Sequence, residues 1–491
     1  MQINFLGTKV NAIFYNDLHG STVNVDAFLK EQANYYKQKQ NETNLTLSGG
    51  DIFVCTCANN ETIAKKLCTQ TDATCLGNHD IEGGEHIVDL IKKYALKGKM
   101  LAANLFFQKE TEMEKEICPS SIIEKNGEKI GIIGISPLNF RELCFTTKLN
   151  DFFGVKTFEQ TRAIVENEVE KLKQQGINKI FLLAHTGISD ENEIAYYDEL
   201  AKISGIDVII GGHDHLQVDR WTKSASGEPV KIVSTGKTDT TIFGENLDSY
   251  GILELEFDDN GVLIENKSIT KFKNIEQEEE IDTSDVVAEL EAPILKGNIL
   301  YGNSQMGNIV TDSGLWYANK YAKGKKADFG IVNAGTIRAD LKQTVTEKNI
   351  EQALPFVSQR LIKAPLTKSQ LINTLEWCAY SRWFKKVTPG VMQVANMTYT
   401  INPDNSVSNV IIYNEDGSIK YNVDELENDF EFTMVYDDYL ATGCAGLTDL
   451  KKDVENDPFV EIFDTTRQEV LKEYLINGEI KEFKTERINF S

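Results

Sequence analysis

The first half of the chain alternates short apolar runs with longer amphipathic stretches, and this alternation constrains the fold most strongly. Six runs have the length and composition of buried strands, namely VNAIFYN, NLTLSGG, ATCLGN, KIGIIGIS, KIFLLAH and DVIIGGH. Stretches of helical period separate several of them, as FEQTRAIVENEVEKLKQQG does before KIFLLAH. This βαβ rhythm predicts a layered α/β domain with buried strands.

The pattern changes near residue 250. The segment GILELEFDDNGVLIENKSITKF alternates like a hairpin with Asp-Asn-Gly at its turn. An acidic stretch, NIEQEEEIDTSD, and a helical pattern, DVVAELEAPILKG, follow it and predict a solvated linker with a connecting helix. Later strand-like runs, among them DFGIVNAG, VMQVANMTYT, SNVIIYN and FTMVYD, predict a second α/β domain. For a chain of 491 residues we therefore expect two domains, 1–275 and 298–491, joined by a linker and helix over 276–297.

The charge balance limits the partners. With 51 basic and 75 acidic residues the net charge is −24, which disfavours nucleic-acid polymers and anionic membranes. A small phosphorylated ligand stays compatible, because a few local cations or metals outweigh distant surface charge. The sequence has no run of about 18 apolar residues, so no transmembrane helix is predicted. The first residues lack the features of a signal peptide, which favours a cytoplasmic location, and a leader removed upstream remains the alternative.

The eight cysteines are interpreted as free thiols, because no secretory signal is visible. Cys55, Cys57, Cys68 and Cys75 cluster in the sequence. Their spacing lacks the paired C-x-x-C of a zinc ribbon, so a separate structural zinc is not favoured.

Histidine is rare, with six in the chain, and five of the six follow predicted strands. These five lie in Asp17-Leu18-His19, Asn78-His79-Asp80, His185 and Gly211-Gly212-His213-Asp214-His215. A further motif without histidine, Gly49-Gly50-Asp51, also follows a predicted strand. Ligands in α/β folds bind beyond the carboxyl ends of strands, so motifs distant in sequence can meet there. Mixed imidazole and carboxylate ligands suit Zn²⁺, Mn²⁺, Fe or Co²⁺ better than Mg²⁺ or Ca²⁺. Each motif alone is compatible with an ordinary loop, but together they predict a metal site; His86, outside them, is interpreted as a helix-surface residue.

The order of these motifs along the chain resembles that of the calcineurin-like metallophosphoesterases. It is D-x-H, G-D, G-N-H-[DE], a later His and G-H-x-H. The chain further resembles the 5′-nucleotidase/UDP-sugar hydrolase family through FYNDLHGS, GNHD, GGHDH, NSQMGNIVTD, NAGTIRADL, LPF and DYLATGCAGL. This resemblance covers essentially the whole length. It implies a layered α/β/β/α metallophosphoesterase domain and a second α/β substrate-binding domain joined by a linker helix.

The resemblance also implies two divalent metal ions, with Mn²⁺ or Zn²⁺ favoured over Co²⁺ or Fe. The implied ligands of one ion are Asp17, His19, Asp51 and His215. Those of the other are Asp51, Asn78, His185 and His213, so that Asp51 bridges the two ions. His79 matches the catalytic histidine of the family, and Glu82 stands where the family usually has the aspartate that orients it.

In the second domain the resemblance implies the residues that bind substrate. Asn333 and Arg338 match the motif that holds a phosphate or carboxylate, and Phe356 and Tyr439 match two aromatics that sandwich a base. Three positions depart from the family, because Ala445 replaces a ribose-binding aspartate, Ser358 an asparagine, and Leu300 or a neighbour an arginine. Arg360 is a candidate replacement for the missing cation.

These observations favour a metal-dependent hydrolase of phosphomonoesters, with nucleoside 5′-monophosphates as the family's default substrate. The expected partner is therefore a small phosphorylated substrate, a nucleotide in the first place. A diester or pyrophosphate hydrolase acting on cyclic nucleotides or nucleotide sugars is the second hypothesis. A binding protein that kept the fold without catalysis is the third. The sequence predicts no particular oligomeric state.

Overall fold

The computed structural model describes most of the chain, in thirteen segments. These are residues 7–22, 24–54, 59–82, 84–107, 112–138, 153–187, 196–236, 249–275, 286–356, 359–382, 389–443, 446–478 and 486–491, without the side chains of 81, 82, 85 and 153–155. The chain divides into two compact units, Met1–Glu279 and Glu280–Ser491. The first part of the predicted linker, 276–285, lies outside the described residues.

The strands of the first unit are short and mostly buried. They are β1 (Thr8–Tyr15), β2 (Thr43–Ser48), β3 (Ala73–Cys75), β4 (Met100–Leu101), β5 (Leu105–Phe107), β6 (Ser120–Lys125), β7 (Glu128–Ile135), β8 (Phe153–Val155), β9 (Ile180–Ala184), β10 (Val208–Gly211), β11 (Val218–Lys223), β12 (Pro229–Ser234), β13 (Ser249–Phe257) and β14 (Ile269–Asn274). All six strands predicted from the apolar runs are present, as β1, β2, β3, β7, β9 and β10.

Helices connect many of these strands. They are α1 (Val25–Gln38), α2 (Asn59–Ile63), α3 (Asn78–Glu82), α4 (Glu85–Lys93), α5 (Glu112–Glu116), α6 (Phe158–Gln174) and α7 (Tyr196–Ala201), with a π-helical turn at Ala64–Cys68 and a 3₁₀ turn at Glu265–Lys267. Helix α6 confirms the predicted helix before KIFLLAH. Thr157 directly precedes this helix, and its side chain and that of Gln160 form a reciprocal capping box.

Two six-stranded sheets dominate the first unit. Their strand orders are β14-β13-β1-β2-β3-β4 and β11-β12-β10-β9-β7-β6, and a small sheet pairs β5 with β8. Strands β1 to β4 run parallel in the first sheet, as do β7, β9, β10 and β12 in the second. The carboxyl ends of four strands therefore meet at one edge of each sheet.

Alternate side chains of the two sheets pack into one shared core. Leu47 of β2 and Leu183 of β9 belong to the cluster between the sheets. On the outer face of the first sheet, Ile13 packs in a cluster with Phe28 of α1. On the outer face of the second, Ile133 shares a cluster with α6. The resulting layers are helix, sheet, sheet and helix, which confirms the α/β/β/α architecture.

The hairpin predicted near residue 250 is also confirmed. Strands β13 and β14 pair antiparallel. At the turn, the Asp258 carboxylate accepts hydrogen bonds from the N–H groups of Asn260 and Val262. Gly261 follows with a φ of 85°, a left-handed conformation that glycine adopts at little cost.

The second unit is a smaller α/β domain. Its strands are β15 (Val286–Glu289), β16 (Phe329–Val332), β17 (Thr344–Thr346), β18 (Arg360–Thr367), β19 (Gln393–Ala395), β20 (Met397–Ile401), β21 (Val407–Tyr413), β22 (Ile419–Asn422), β23 (Glu431–Asp437), β24 (Glu461–Thr466) and β25 (Ile488–Phe490). Its helices are α8 (Gln305–Tyr321), α9 (Glu347–Ala353), α10 (Lys368–Ser381) and α11 (Arg467–Asn477), with 3₁₀ turns at Ala334–Thr336, Val423–Glu425, Leu440–Thr442 and Thr448–Leu450.

Among the described residues, a Ser or Thr directly precedes each of these four helices, and its side chain accepts a hydrogen bond from a first-turn N–H, as Ser304 does before α8. The sheets have the orders β19-β16-β23-β18-β24, β22-β21-β20-β25 and β15-β17. The side chains of Leu315 in α8 and Val470 in α11 share a core cluster with Leu361 and Val435 of the five-stranded sheet. The predicted second α/β domain is thus confirmed.

The connecting helix predicted over DVVAELEAPILKG is wrong. Within the described residues 286–297 the chain forms strand β15, which pairs antiparallel with β17 and sets Ala288 opposite Val345. The β-branched Val286 and Val287 favour this extended pairing over the helical spacing of the segment. Pro293 then follows, and a proline inside a helix would remove a backbone hydrogen bond. Across the helices formed by described residues, none has the length and apolar character needed to cross a membrane.

Candidate metal centre

The side chains predicted as metal ligands all lie just beyond the carboxyl ends of central strands. Asp17 and His19 follow β1, Asp51 follows β2, Asn78 and His79 open α3 after β3, His185 follows β9, and His213 and His215 follow β10. Backbone hydrogen bonds tie two of these loops together. The N–H of Asp17 donates to the carbonyl of Gly50 and that of His19 to the carbonyl of Asp51, each at 2.9 Å.

These side chains converge into three overlapping groups. Within each group the potential ligand atoms lie within 4.8 Å of one another. The groups are Asp17, His19 and His215; His19, Asp51 and His79; and Asp51, His185 and His213. Asp51 belongs to two of them, as a bridging ligand requires. Asn78 is buried beside them and precedes His79, whose backbone N–H donates to Asp51 Oδ1 at 2.9 Å.

The first group surrounds a single point. The Nε2 atoms of His19 and His215 lie 3.0 Å apart. Asp17 Oδ1 is 4.0 Å from Nε2 of His19 and 3.8 Å from Nε2 of His215. It also lies 3.8 Å from Nε2 of His185, a predicted ligand of the other ion. Asp17 and Asp51 therefore stand between the two sets of imidazoles.

The orientation of His185 fits a cation. Its Nδ1 lies 2.6 Å from the carbonyl oxygen of Gly49, so this nitrogen carries a proton and donates. Its Nε2 faces the Asp51 carboxylate, with Oδ2 at 3.0 Å. A neutral imidazole would direct a lone pair at that negative charge, so a cation, either a proton or a metal ion, is needed beside Nε2. A backbone carbonyl that binds the other ring nitrogen is the usual support of a metal-ligating histidine.

The electrostatics agree with this arrangement. Burial alone would lower the pKa of His185, but the Asp51 carboxylate overrides burial and raises it to about 10. Burial would raise the pKa of Asp51, yet the His185 and His79 imidazoles hold it well below its usual range. Burial lowers the pKa of His213 to about 3, so this ring is neutral and able to bind a metal. The donor set of carboxylates and imidazoles fits two divalent ions.

Several predicted ligands have a strained backbone. Five have positive φ values, namely Asp17 (55°), His19 (48°), Asp51 (52°), His213 (88°) and His215 (54°). Non-glycine residues in this left-handed region cost about 1–3 kcal/mol each and persist only where the surroundings hold them. The loops are thus fixed by the fold in a conformation that turns successive side chains toward one centre.

Two glycines allow the close approach of these loops. A Cβ added at Gly50 would lie 2.6 Å from Nδ1 of His185, and the φ of Gly50 is 96°. A Cβ added at Gly77 would lie 1.9 Å from Oδ1 of Asp51. Any larger residue at either position would displace a predicted ligand.

Sequence reasoning missed the residues that support the ligands. The Asn16 side chain donates to Asp17 Oδ2 and to the carbonyl of Thr235, at the end of β12 in the other sheet. The hydroxyl of the buried Tyr197 bonds both the N–H and the carbonyl of Gly212, at 3.1 Å each. Asp80 accepts three backbone N–H bonds around Asp51. Asn16 and Asp80 stand inside the quoted motifs, whereas Tyr197 gave no signal in the sequence.

In the second unit the structure brings two of the predicted substrate-binding residues together. The Arg338 guanidinium carbon lies 5.2 Å from the centre of the Phe356 ring. Asn333 is largely buried, and its Oδ1 accepts a hydrogen bond from the Thr336 hydroxyl at 2.7 Å. Tyr439 lies at the start of the 3₁₀ turn Leu440–Thr442 and is half-buried. The binding roles of these four residues stay predictions.

Arg360 already has two acidic partners. Its Nε lies 2.9 Å from Asp438 and its Nη2 2.7 Å from Glu455. These pairs weigh against the predicted use of Arg360 as a cation for substrate. Leu300, which stands at or beside the position where the resemblance implies an arginine, is buried in the core.

Some predictions fall on parts of the chain that are not described. Ser358, Ala445, Cys55 and Cys57 lie outside the described residues, and so does the side chain of Glu82. The described members of the cysteine cluster, Cys68 and Cys75, are buried free thiols.

Two protein families match the chain. The family described as calcineurin-like phosphoesterase matches residues 11–217, and that described as 5′-nucleotidase, C-terminal domain, matches residues 286–452. The chain belongs to the 5′-nucleotidase family. Its calcineurin-like domain contains every predicted metal ligand.

The curated relatives are distant in sequence. The chain is 26% identical to a snake venom 5′-nucleotidase of Crotalus adamanteus over 327 residues, which are 58% of this chain and 52% of that protein. It is 30% identical to a probable 5′-nucleotidase of Treponema pallidum over 218 residues, 41% of this chain and 33% of that protein. The chain thus spans between a third and about half of the length of these curated relatives.

The fold matches solved structures over nearly the whole chain. A 5′-nucleotidase precursor from Thermus thermophilus has a TM-score of 0.71 at 20% identity and covers 98% of this chain and 99% of its own. A putative 5′-nucleotidase from Staphylococcus aureus has a TM-score of 0.63 at 16% identity, covering 98% and 99%. At these identities the likeness establishes the fold.

Proposed function

We propose that this member of the 5′-nucleotidase family hydrolyses phosphomonoesters at a dinuclear metal centre. The observation that carries the proposal is the convergence of carboxylate and imidazole ligands from both sheets around Asp51. Mn²⁺ and Zn²⁺ are the ions we expect, with Co²⁺ or Fe next, because the donors are mixed nitrogen and oxygen atoms. Two divalent ions held there would supply a nucleophilic hydroxide near neutral pH and positive charge for the phosphoryl oxygens.

The chain's own residues divide the work of holding these ions. Asp17, His19 and His215 would hold one ion, and His185, His213 and Asn78 the other. Asp51 would bind both, since its carboxylate belongs to a group on each side. The N–H of His79 fixes one oxygen of this carboxylate, which leaves the orientation of Asp51 little freedom.

His79 is placed to act on the substrate. Its ring lies 4.9 Å from the ring of His19 and remains half-exposed, whereas His19 and His185 are buried. A protonated imidazole at this edge donates a hydrogen bond to a phosphoryl oxygen and a proton to the leaving oxygen. With His79 in this role, the nucleophile attacks phosphorus directly, and the reaction requires no phosphorylated form of the protein.

A nucleotide is the substrate we propose to test first. Arg338 carries a planar guanidinium suited to bidentate binding of phosphate or carboxylate, and Phe356 lies beside it as a flat apolar surface. The named relatives support this choice, since they include 5′-nucleotidases and an apyrase of Tabanus yao.

Diester or pyrophosphate hydrolysis is the second candidate. The observation in its favour is that the second domain departs from the family, because Ala445, Ser358 and Leu300 or a neighbour stand where the resemblance implies polar or charged substrate-binding residues. A non-catalytic binding protein is the third candidate, and the intact ligand set argues against it.

The test is phosphate release from AMP, from a chromogenic monoester and from the matching diester, with Mn²⁺, Zn²⁺ or Co²⁺, before and after chelation. We expect metal-dependent release from the monoesters, lost on chelation and restored by metal. Faster turnover of the diester would favour the second candidate. No release with any of the three metals would contradict both catalytic proposals. The Asp17→Asn variant should be inactive. The Asp207→Asn variant should stay active, because the buried Asp207 carboxylate accepts from the N–H of Ile180 at the amino end of β9, and the candidate metal centre lies at the carboxyl end.

A further inference from the structure

Asp80 is a completely buried carboxylate that is not among the predicted metal ligands. Its Oδ2 accepts hydrogen bonds from the N–H of Asp51 at 2.9 Å and of Gly77 at 2.8 Å. Its Oδ1 accepts a third from the N–H of Phe53 at 2.7 Å. All three partners are backbone donors, and the carboxyl group of Asp80 accepts from them with both of its oxygens.

These bonds join two loops of the metal centre. Asp51 and Phe53 belong to the loop after β2, and Gly77 and Asp80 belong to the turn after β3. The two loops lie very close together, because a Cβ on Gly77 would lie 1.9 Å from Asp51 Oδ1. The carboxylate of Asp80 therefore sets the position of the Asp51 backbone relative to Asn78 and His79.

The backbone of Asp51 needs such support. Its φ of 52° lies in the left-handed region, which costs a non-glycine residue about 1–3 kcal/mol. The two bonds from the N–H groups of Asp51 and Phe53 to Asp80 bracket this strained residue and stabilise its conformation.

We propose that Asp80 is a positioning residue that holds Asp51 ready to bridge two metal ions before either ion binds. This inference rests on the proposed dinuclear centre. Asp80 acts through Asp51 and through the turn that carries Asn78 and His79. Supports of this kind around metal ligands typically contribute about 10- to 100-fold in metal affinity.

The first experiment compares Mn²⁺ binding by the full chain and three variants, using calorimetry together with the electron paramagnetic resonance signal of two coupled Mn²⁺ ions. Asp80→Asn places an N–H₂ group against a backbone donor, and we expect the dissociation constant of at least one ion to rise about 10- to 100-fold, with the coupled signal weakened. Asp80→Glu keeps a carboxyl group with two acceptor oxygens, and we expect a dissociation constant between those of the wild type and Asp80→Asn.

Asp207→Asn is the matched control. Asp207 is also a buried carboxylate, and it accepts a hydrogen bond from the N–H of Ile180 at 2.7 Å. It lies directly before β10 and beside the amino end of β9, whereas His185 follows the carboxyl end of β9. We expect this variant to lose stability while its Mn²⁺ dissociation constants stay at the wild-type values. Wild-type constants in Asp80→Asn would overturn the inference. Equal losses in Asp80→Asn and Asp207→Asn would also overturn it, because they would reflect a general weakening of the fold.

A second measurement does not depend on the variants being folded. In metal-free wild-type protein we expect slow hydrogen–deuterium exchange at the N–H groups of Asp51, Phe53 and Gly77, because Asp80 already binds them. Fast exchange that becomes slow only when Mn²⁺ is added would overturn the inference. A wild-type chain that binds fewer than two ions would instead contradict the proposed function, so the two failures are distinguishable.

Discussion

The Nε2 atoms of His19 and His215 lie 3.0 Å apart, although the residues are separated by 196 positions in the chain. His19 follows β1 in one sheet and His215 follows β10 in the other, so the contact joins the two halves of the sandwich. Two imidazole nitrogens at this distance share a proton or flank a cation. With Asp17 Oδ1 within 4.0 Å of both, the arrangement is that of a metal site.

Replacing His79 separates catalysis from metal binding. We expect His79→Asn to lower kcat by about 10²- to 10⁴-fold, the usual contribution of a general acid or base, while two metal ions stay bound. The measurement is steady-state kinetics together with elemental analysis of the purified protein. His86→Asn, at the half-buried histidine of α4, is the matched control and should change neither quantity. Loss of metal from His79→Asn would make His79 a ligand and contradict its catalytic role.

Replacing Asp51 should affect both metal positions, because its carboxylate belongs to two of the ligand groups. We expect Asp51→Asn to retain fewer than two ions per chain and to lose metal-dependent phosphate release. His215→Asn removes a predicted ligand of one ion, so it should weaken the binding of that ion more than the binding of the other. Metal content and Mn²⁺ binding isotherms measure both effects. An Asp51→Asn protein that holds two ions with wild-type affinity would show that Asp51 does not bridge.

Metal binding should stabilise the first unit. A ligand at about 100 times its dissociation constant adds about 2.7 kcal/mol to the free energy of unfolding, so Mn²⁺ should raise the melting temperature of the metal-free protein. Differential scanning calorimetry with and without Mn²⁺ measures the shift. The Asp51→Asn variant should show a smaller one. An equal shift in that variant would mean that Mn²⁺ acts elsewhere on the acidic surface.

Arg338 is expected to bind the charged part of the substrate. Hydrogen bonds to charged groups contribute about 1.5–3 kcal/mol, so Arg338→Ala should raise KM for AMP by about 10- to 100-fold with a smaller change in kcat. Arg360→Ala is the comparison, because Asp438 and Glu455 already occupy its guanidinium. We expect Arg360→Ala to change KM less. An unchanged KM in Arg338→Ala would refute its role.

Phe356 is expected to stack on a flat ring. Stacking contributes about 1–3 kcal/mol per base, so Phe356→Leu should raise KM for AMP and leave KM for glycerol phosphate unchanged. Phe459→Leu changes the same residue type at an exposed position of the second unit, and it should alter neither value. Equal effects of Phe356→Leu on both substrates would show that the ring of Phe356 packs in the protein and does not bind the base.

The sequence predicted the strands of the first unit well, because runs such as KIFLLAH are buried on both faces and read as continuous apolar segments. It also placed the histidines and aspartates at strand ends, where the structure brings them together. It predicted a helix at DVVAELEAPILKG and was wrong there, because pairing with β17 outweighs local helical spacing. Such pairing depends on a strand far along the chain.

Other features of the centre left no readable pattern in the sequence. The positive φ of Asp17, His19 and Asp51 follows from packing between loops and not from these residues alone. Tyr197 looks like any core aromatic until its hydroxyl is seen on Gly212. The two acidic partners of Arg360 were likewise invisible, since Asp438 and Glu455 are distant in sequence.

The central claim is that phosphate ester hydrolysis needs two metal ions around Asp51. The most direct test is the rate of phosphate release from AMP while metal-free protein is titrated with Mn²⁺. We predict little release at one equivalent and full release once two equivalents are bound, with no such activity in Asp51→Asn. Full activity at one equivalent, or none at any amount of Mn²⁺, Zn²⁺ or Co²⁺, would contradict the account.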